Sequence, residues 1–459
     1  MQVAKSLQKL MRDLTAGKEG KIILAFTIPM LIGNVFQQLY NIVDSIIIGR
    51  YLGNEALAAV GASFPLIFTL ISMIIGVATG TTIIIAQYYG AKNIDKVQQA
   101  IETMYLFIFA ASVLLTVVGN LFSTAIFRLI DLPEEVIPEA VAYFNIYALG
   151  FVFFFGFQGT SAILRGLGDS KTPLYFLIVA TLINIVLDLL FVVTFGWGIE
   201  GVAFATIISQ AGAFFSIIFY LNRCHQVLRF KMFGLRFDKG IFIKSLKIGL
   251  PTGFQQTFVA VGMLALYKVV NMFGTSVIAA YSVAMRLDSF ASLPAMNFSA
   301  ALSSFVGQNI GANKPERVRS GMIATLRMTT TISIAVTVLA WLFAEPIMQV
   351  FTTDQAVVEA GKEYLYIVSS FYVLFSAMFV MNGLLRGAGD TLIPMFITLF
   401  GLWIIRIPAS YILAEHFGPK GIWWGIPIAW AIGAGFSYLY YLTGRWKTKS
   451  VIKTVDKNS

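Results

Sequence analysis

The sequence predicts an all-α polytopic membrane protein: twelve transmembrane helices in two six-helix lobes related by a parallel pseudo-two-fold repeat. Three observations predict it. The chain is 58% hydrophobic and only 12% charged, with a mean hydropathy of +0.79, whereas soluble domains carry about 25% charged residues. Uncharged or nearly uncharged runs of lipid-spanning length follow one another from end to end. The decapeptide LRGLGDSKTP, starting at Leu164, returns as LRGAGDTLIP at Leu385, 221 residues later.

Apolar runs of about 18 residues or more read as membrane helices. They lie at 22–48, 56–83, 103–127, 140–162, 173–195 and 201–221, then at 248–272, 276–304, 320–343, 364–384, 393–413 and 421–442. A β-barrel is excluded, because barrel strands are about ten residues long and alternate in polarity. The first run is too long for a signal-peptide core, and residues 1–21 before it are polar and basic (Lys5, Lys9, Arg12, Lys18, Lys21). Orientation follows from the basic residues. With the N-terminus inside, about 25 of the 33 Lys and Arg fall in cytoplasmic segments, and Arg50, Arg128, Lys362 and Lys420 fall outside. The net charge of +10 therefore orients the chain and does not signal nucleic-acid binding. The expected location is the plasma (cytoplasmic) membrane, with both termini cytoplasmic.

Further landmarks recur at the same spacing. QYYGAKN (Gln87–Asn93) matches QNIGANK (Gln308–Lys314), LGNEALAAVG (Leu52–Gly61) matches FGTSVIAAYS (Phe273–Ser282), and Pro29 matches Pro251 within one residue. Six spans return the chain to its starting side, so both copies insert in the same sense, as parallel repeats do. The predicted organisation is a cytoplasmic segment 1–21, an N-terminal lobe 22–221, a basic linker 222–247, a C-terminal lobe 248–443 and a cytoplasmic tail 444–459. In the repeated decapeptides the glycines permit a tight turn. Asp169 or Ser170, and in the second copy Asp390 or Thr391, are placed to cap the next helix, with Pro173 and Pro394 in its first turn. These letters carry scaffold.

Chemistry is expected where lipid resists it. Only Asp44, Asp188 and Asp288 are acids inside spans, and a charge at bilayer depth costs about 2.5–3.5 kcal/mol on insertion scales. Asn184 and Asp188 are four apart in the fifth span and share a face; the first span carries Gln37, Tyr40, Asn41 and Asp44 as one polar stripe; the sixth carries Thr206. If these spans pack together, Asp44, Asn184, Asp188 and Thr206 offer all-oxygen ligands suited to a hard cation. Two close carboxylates equally well hold a proton between them. The residues leave Na⁺ and H⁺ both open.

None of this set survives in the second copy, where Ala265, Ile405, Ala409 and Pro427 stand at the matching positions. That copy carries Lys268, Arg286 and Arg406 instead. Arg286 is too close in sequence to Asp288 to share its helix face; Lys268 and Arg406 read as snorkelling cations. The scaffold is duplicated but the ion chemistry is not, which fits a transporter with a coupling site in the first lobe. Aromatic and Met side chains suit a chamber for small organic, cationic or amphipathic substrates. With only His225 and His416, one cysteine and no clustered metal ligands, the chain does not read as an enzyme.

Together, IPMLIGNVFQQLYNIVDSIIIGRYLG, GAKN, the paired LRG-x-GD motifs, NIVLD and GVAFAT resemble the multidrug and toxic compound extrusion (MATE) transporters, in their prokaryotic DinF-like branch, over about residues 20–445. The resemblance implies two six-helix lobes forming a V around a central cavity. It also implies antiport, in which inward Na⁺ or H⁺ drives multidrug efflux of organic cations by alternating access, in a monomer with no other cofactor. It assigns ion coupling to Asp44, Asn184, Asp188 and Thr206. Gln37, Tyr40, Asn41, Gln255, Arg286 and Asp288 are the expected cavity residues. The acids that a NorM-like branch carries in helices 7 and 10 are absent. A flippase for lipid-linked precursors, from the same superfamily, is the alternative, resting on Lys268, Arg286 and Arg406.

Overall fold

The computed structural model describes residues 13–130, 132–224 and 234–452. Most of the predicted 1–21 segment, with Lys5, Lys9 and Arg12, lies outside the described residues, as do much of the linker with His225 and the end of the tail. Among the described residues every element is helical. The first copy contains α1 (Glu19–Tyr51), α2 (Asn54–Gly90), α3 (Ile94–Leu129), α4 (Ile137–Leu149), α5 (Phe151–Gly166), α6 (Lys171–Asp188) and α7 (Gly198–Cys224). The second contains α8 (Lys239–Asn271), α9 (Thr275–Gly311), α10 (Pro315–Gln349), α11 (Gln355–Ser369), α12 (Tyr372–Gly387), α13 (Leu392–Leu399), α14 (Ile407–Phe417) and α15 (Pro419–Leu442).

Nine of these stretches are long and apolar enough to cross a membrane, and eleven if each of two bent pairs is one span. The remaining expected span, 276–304, lies inside α9. Its 37 residues reach about 55 Å at helical rise, but its serines, Arg286 and Asp288 lower its apolarity. The bent pairs are α4–α5, turned by 52°, and α11–α12, turned by 50°. The cause is visible in both copies. Thr116 Oγ1 donates to the Ala148 carbonyl and Thr337 Oγ1 to that of Ser369, each at 2.6 Å. Each hydroxyl engages a carbonyl beside the break, where the helical ladder is interrupted.

The duplication is written into the backbone. Left-handed φ values recur at Gly53 and Gly274 (89° and 85°), Gly168 and Gly389 (87° and 97°), and at the non-glycine pair Lys92 and Asn313 (60° and 57°). Each pair keeps the spacing read from the sequence. The caps are less alike. Asp169 Oδ1 accepts from the N–H groups of Lys171 and Thr172 at 2.9 and 3.0 Å, as a helix start requires. In the second copy Asp390 instead accepts from the Tyr440 hydroxyl at 2.5 Å, so that acid ties two helices where a cap was expected.

Contacts group the chain into two units that do not follow the predicted boundary at 222–247. One takes Ile28–Gly253; the other takes Leu14–Thr27 and Phe254 onward. In the first unit α2 and the start of α8 pack backbone to backbone. A Cβ on Gly76 would lie 2.7 Å from the Gly249 carbonyl oxygen, so only glycine admits this approach. In the second unit a core forms around Tyr281, Tyr364 and Trp423, all fully buried, with the Tyr281 and Trp423 rings stacked at 5.6 Å.

Candidate functional site

Each unit holds a cluster of polar side chains around an acid of a spanning helix. In the first unit, α1 presents Tyr40 and Asp44 one turn apart, α6 presents Asn184 and Asp188 at its C-terminal end, and α7 presents Thr206. Asn184 and Asp188 are 1% and 0% exposed and Thr206 is 4% exposed, which is unusual for such residues unless they are paired. Directly after Asp188 the helix widens to π pitch over Leu189–Thr194, a form often found at functional sites.

The four predicted coupling residues meet. With its amide oriented by the hydrogen-bond network, Asn184 Nδ2 donates to Asp44 Oδ1 at 3.1 Å and to Asp188 Oδ2 at 3.1 Å. The two carboxyls lie within hydrogen-bond reach of one another, and the Tyr40 hydroxyl reaches Asp44. Tyr40 also lies 3.2 Å from Thr206 Oγ1. Asp188 Oδ1 is buried without a hydrogen-bond partner. Two carboxylates about 4 Å apart repel by about 4 kcal/mol at an effective dielectric near 20. The pocket is therefore comfortable only with positive charge between them. Among the described residues no three His, Cys, Asp or Glu side chains gather. The donor set is carboxylate, amide and hydroxyl oxygen, which suits a hard monovalent cation or a proton better than a transition metal.

Three neighbours escaped the sequence reading. Tyr143 and Tyr147 of α4 lie close enough to couple electrostatically to Asp44, and their rings sit 5.8 Å apart. Gln210, one turn beyond Thr206 on α7, is buried with its Oε1 unpartnered. The spacing of four in each pair was the available signal. Of the expected cavity residues on α1, Tyr40 thus belongs with the coupling set, Gln37 is half-buried and Asn41 is exposed.

In the second unit, Asp288 of α9 accepts hydrogen bonds from the hydroxyls of Tyr364 on α11 and Tyr372 on α12. Arg406, at the end of the π segment Phe400–Arg406, lies near enough to oppose its charge. Arg406 is 6% exposed, so it does not snorkel as expected; its guanidinium lies 3.8 Å from Met263 Sδ. Lys268 is exposed, as a snorkelling residue is, and so is Arg286. Gln255 is buried and engaged at both ends, donating to Thr398 Oγ1 at 2.6 Å and accepting from Arg386 at 3.4 Å. The tyrosine partners of Asp288 carry no periodic signal in the sequence and were not foreseen.

A duplicated helical membrane scaffold with an acid pair in one copy is now in view, and it has known relatives. The MatE family model matches residues 29–190 and again 251–412. The chain belongs to the MatE family. The matched stretches begin at Pro29 and Pro251, so the family unit is the repeat itself. The probable multidrug resistance protein YpnP of Bacillus subtilis is 34% identical over 95% of this chain and 97% of its own length. The probable multidrug resistance protein NorM of Thermotoga maritima is 29% identical over 94% of each. A solved structure described as the outward-facing conformation of a multidrug resistance MATE family transporter of the MOP superfamily superposes with a TM-score of 0.89. It is 25% identical, over 96% of this chain and 99% of that one. This MatE chain is a multi-pass helical membrane transporter.

Proposed function

We propose that this transporter exports small organic, cationic or amphipathic compounds, driven by inward Na⁺ or H⁺ that binds between Asp44 and Asp188. The buried, unpartnered Asp188 Oδ1 beside a second carboxylate carries the reading. Asn184 can serve both states of such a site. With Nδ2 toward the acids it bridges them while they share a proton. Turned over, its Oδ1 joins the carboxylates and Thr206 in an all-oxygen set for a cation. Binding neutralises the mutual repulsion of the acids, and release restores it, so occupancy is worth several kcal/mol to whichever arrangement of α1 and α6 brings them together. Export of drug-like substrates is supported by relatives described as probable multidrug resistance proteins.

The reading is tested in proteoliposomes under an imposed Na⁺ gradient and then under a proton gradient, with a fluorescent organic cation as substrate. Efflux driven by neither gradient overturns it. The flippase alternative rests on cations in the second unit. Of these, Arg406 is buried and Lys268 and Arg286 are exposed. A lipid-linked anionic substrate in the same vesicles separates the two readings.

A further inference from the structure

The two copies exchange the beginnings of their first helices. Leu14–Thr27 groups with the second unit, although α1 belongs to the first unit from Ile28 onward; α8 groups with the first unit through Gly253 and with the second from Phe254. The changeover falls beside Pro29 in α1 and Pro251 in α8. Each lead-in docks at the end of the second helix or the start of the third helix of the unit it joins.

In the second unit the docking is buried and specific. Gln308 Oε1 accepts from the Leu14 N–H at 3.1 Å, and Asn309 Nδ2 donates to the Leu14 carbonyl at 3.1 Å. Leu14, Gln308 and Asn309 are all 0% exposed. Lys314 Nζ donates to the Thr15 carbonyl at 3.0 Å. Arg317 donates to the Gly17 carbonyl at 2.9 Å and to Asn309 Oδ1 at 3.0 Å, and pairs with Glu19 at 2.9 Å. In the first unit the counterpart is more exposed. Arg236 N–H donates to Glu102 and Asp238 N–H to Thr103 Oγ1, each at 3.0 Å, and Lys96 pairs with Asp238 at 3.3 Å. Lys96 and Arg317 occupy matching positions of the two copies, so one site in the repeat supplies the cation of both docks.

We propose that Gln308, Asn309 and Arg317 are positioning residues for coupled transport. They anchor the cytoplasmic end of α1, the helix that carries Asp44, into the second unit. This rests on the ion-coupled reading above. Glu19 and Asp44 are joined by about 37 Å of continuous helix. A helix fixed at its far end transmits a displacement at Asp44 to its anchor, whereas a helix with a loose end moves alone and the ion crosses without work. The anchor supplies the physical connection that a coupling free energy between two sites requires.

The test measures substrate and ion flux in the same proteoliposomes, using radioactive sodium, a pH-sensitive dye and a fluorescent organic cation. Arg317→Gln and Asn309→Asp are expected to lower substrate exported per ion by about tenfold and to raise ion flux without substrate. Arg317→Lys, which keeps the pairing with Glu19, is expected to restore part of the ratio. Ion-dependent thermal stabilisation, which reports the Asp44–Asp188 site, is expected to stay at the unaltered value. If flux and substrate export fall together and the ratio holds, the residues are structural only and the proposal is overturned. Gradient-driven efflux that Asp188→Asn abolishes while the ratio holds in Arg317→Gln overturns this proposal alone. Absence of gradient-driven efflux in the unaltered protein overturns both.

Discussion

Asp188→Asn isolates the charge from the shape of the proposed coupling site. The side chain is 0% exposed and one oxygen is unpartnered, so an amide of the same volume leaves no cavity. What disappears is one of two charges facing a bound cation. A carboxylate and a cation about 4 Å apart attract by about 4 kcal/mol at an effective dielectric near 20. Each 1.4 kcal/mol is tenfold, so ion affinity is expected to fall by about a thousandfold. Folding is not expected to suffer, because the variant also removes the repulsion between Asp44 and Asp188. The assay pairs thermal melting in detergent, across a series of Na⁺ concentrations and pH values, with gradient-driven efflux from proteoliposomes. The unaltered protein is expected to gain stability with ligand concentration, by mass action. Asp188→Asn is expected to melt no lower without ligand, to show no such gain, and to export no substrate against its gradient. Full ligand-dependent stabilisation or undiminished coupled efflux in this variant would refute the reasoning.

Other perturbations probe the rest of the molecule. Asp288→Asn weakens the charge-assisted hydrogen bonds from the Tyr364 and Tyr372 hydroxyls and is expected to cost about 1.5–3 kcal/mol; melting temperatures of Asp288→Asn and of Asp288→Asn/Tyr364→Phe/Tyr372→Phe, the latter expected to add little, decide this. Gly76→Val places a Cβ where the Gly249 carbonyl lies 2.7 Å away, and is expected to destabilise by about 1–3 kcal/mol or more through overpacking, read as loss of the monodisperse folded fraction. Outside the membrane, the Ile241 N–H donating to Asp238, helped by Lys96, holds that carboxyl below the usual carboxylate range. A group depressed on folding stabilises fully above its unfolded pKa, near 3.9, and loses that contribution as pH falls through the lower folded value. Acid melting curves of the unaltered protein and Asp238→Asn are therefore expected to differ at neutral pH and to approach each other as pH falls below about 4.

The sequence by itself determined the membrane character, the duplication and which rare acids fall within the spans. Those signals are local: lipid punishes a charge or an open backbone group wherever it sits, so runs such as 173–195 and the rare Asp44 and Asp188 stand out without reference to any other residue. Asn184 was legible because a spacing of four puts it on the face of Asp188. The repeat spacing also aligns Lys92 with Asn313, and both proved left-handed. Only the tertiary structure decided which distant groups meet. Asp288 takes its two hydroxyls from Tyr364 and Tyr372, which lie 76 and 84 residues away, and Leu14 finds Gln308 across 294 residues. Such partners follow from how helices cross, and no periodicity records that. The same holds for Arg406, whose burial inverted the expectation of a snorkelling cation. It holds as well for the exchanged helix beginnings. The contacts that hold them run between copies of one repeat, so the repeat alone cannot say which copy each lead-in will join.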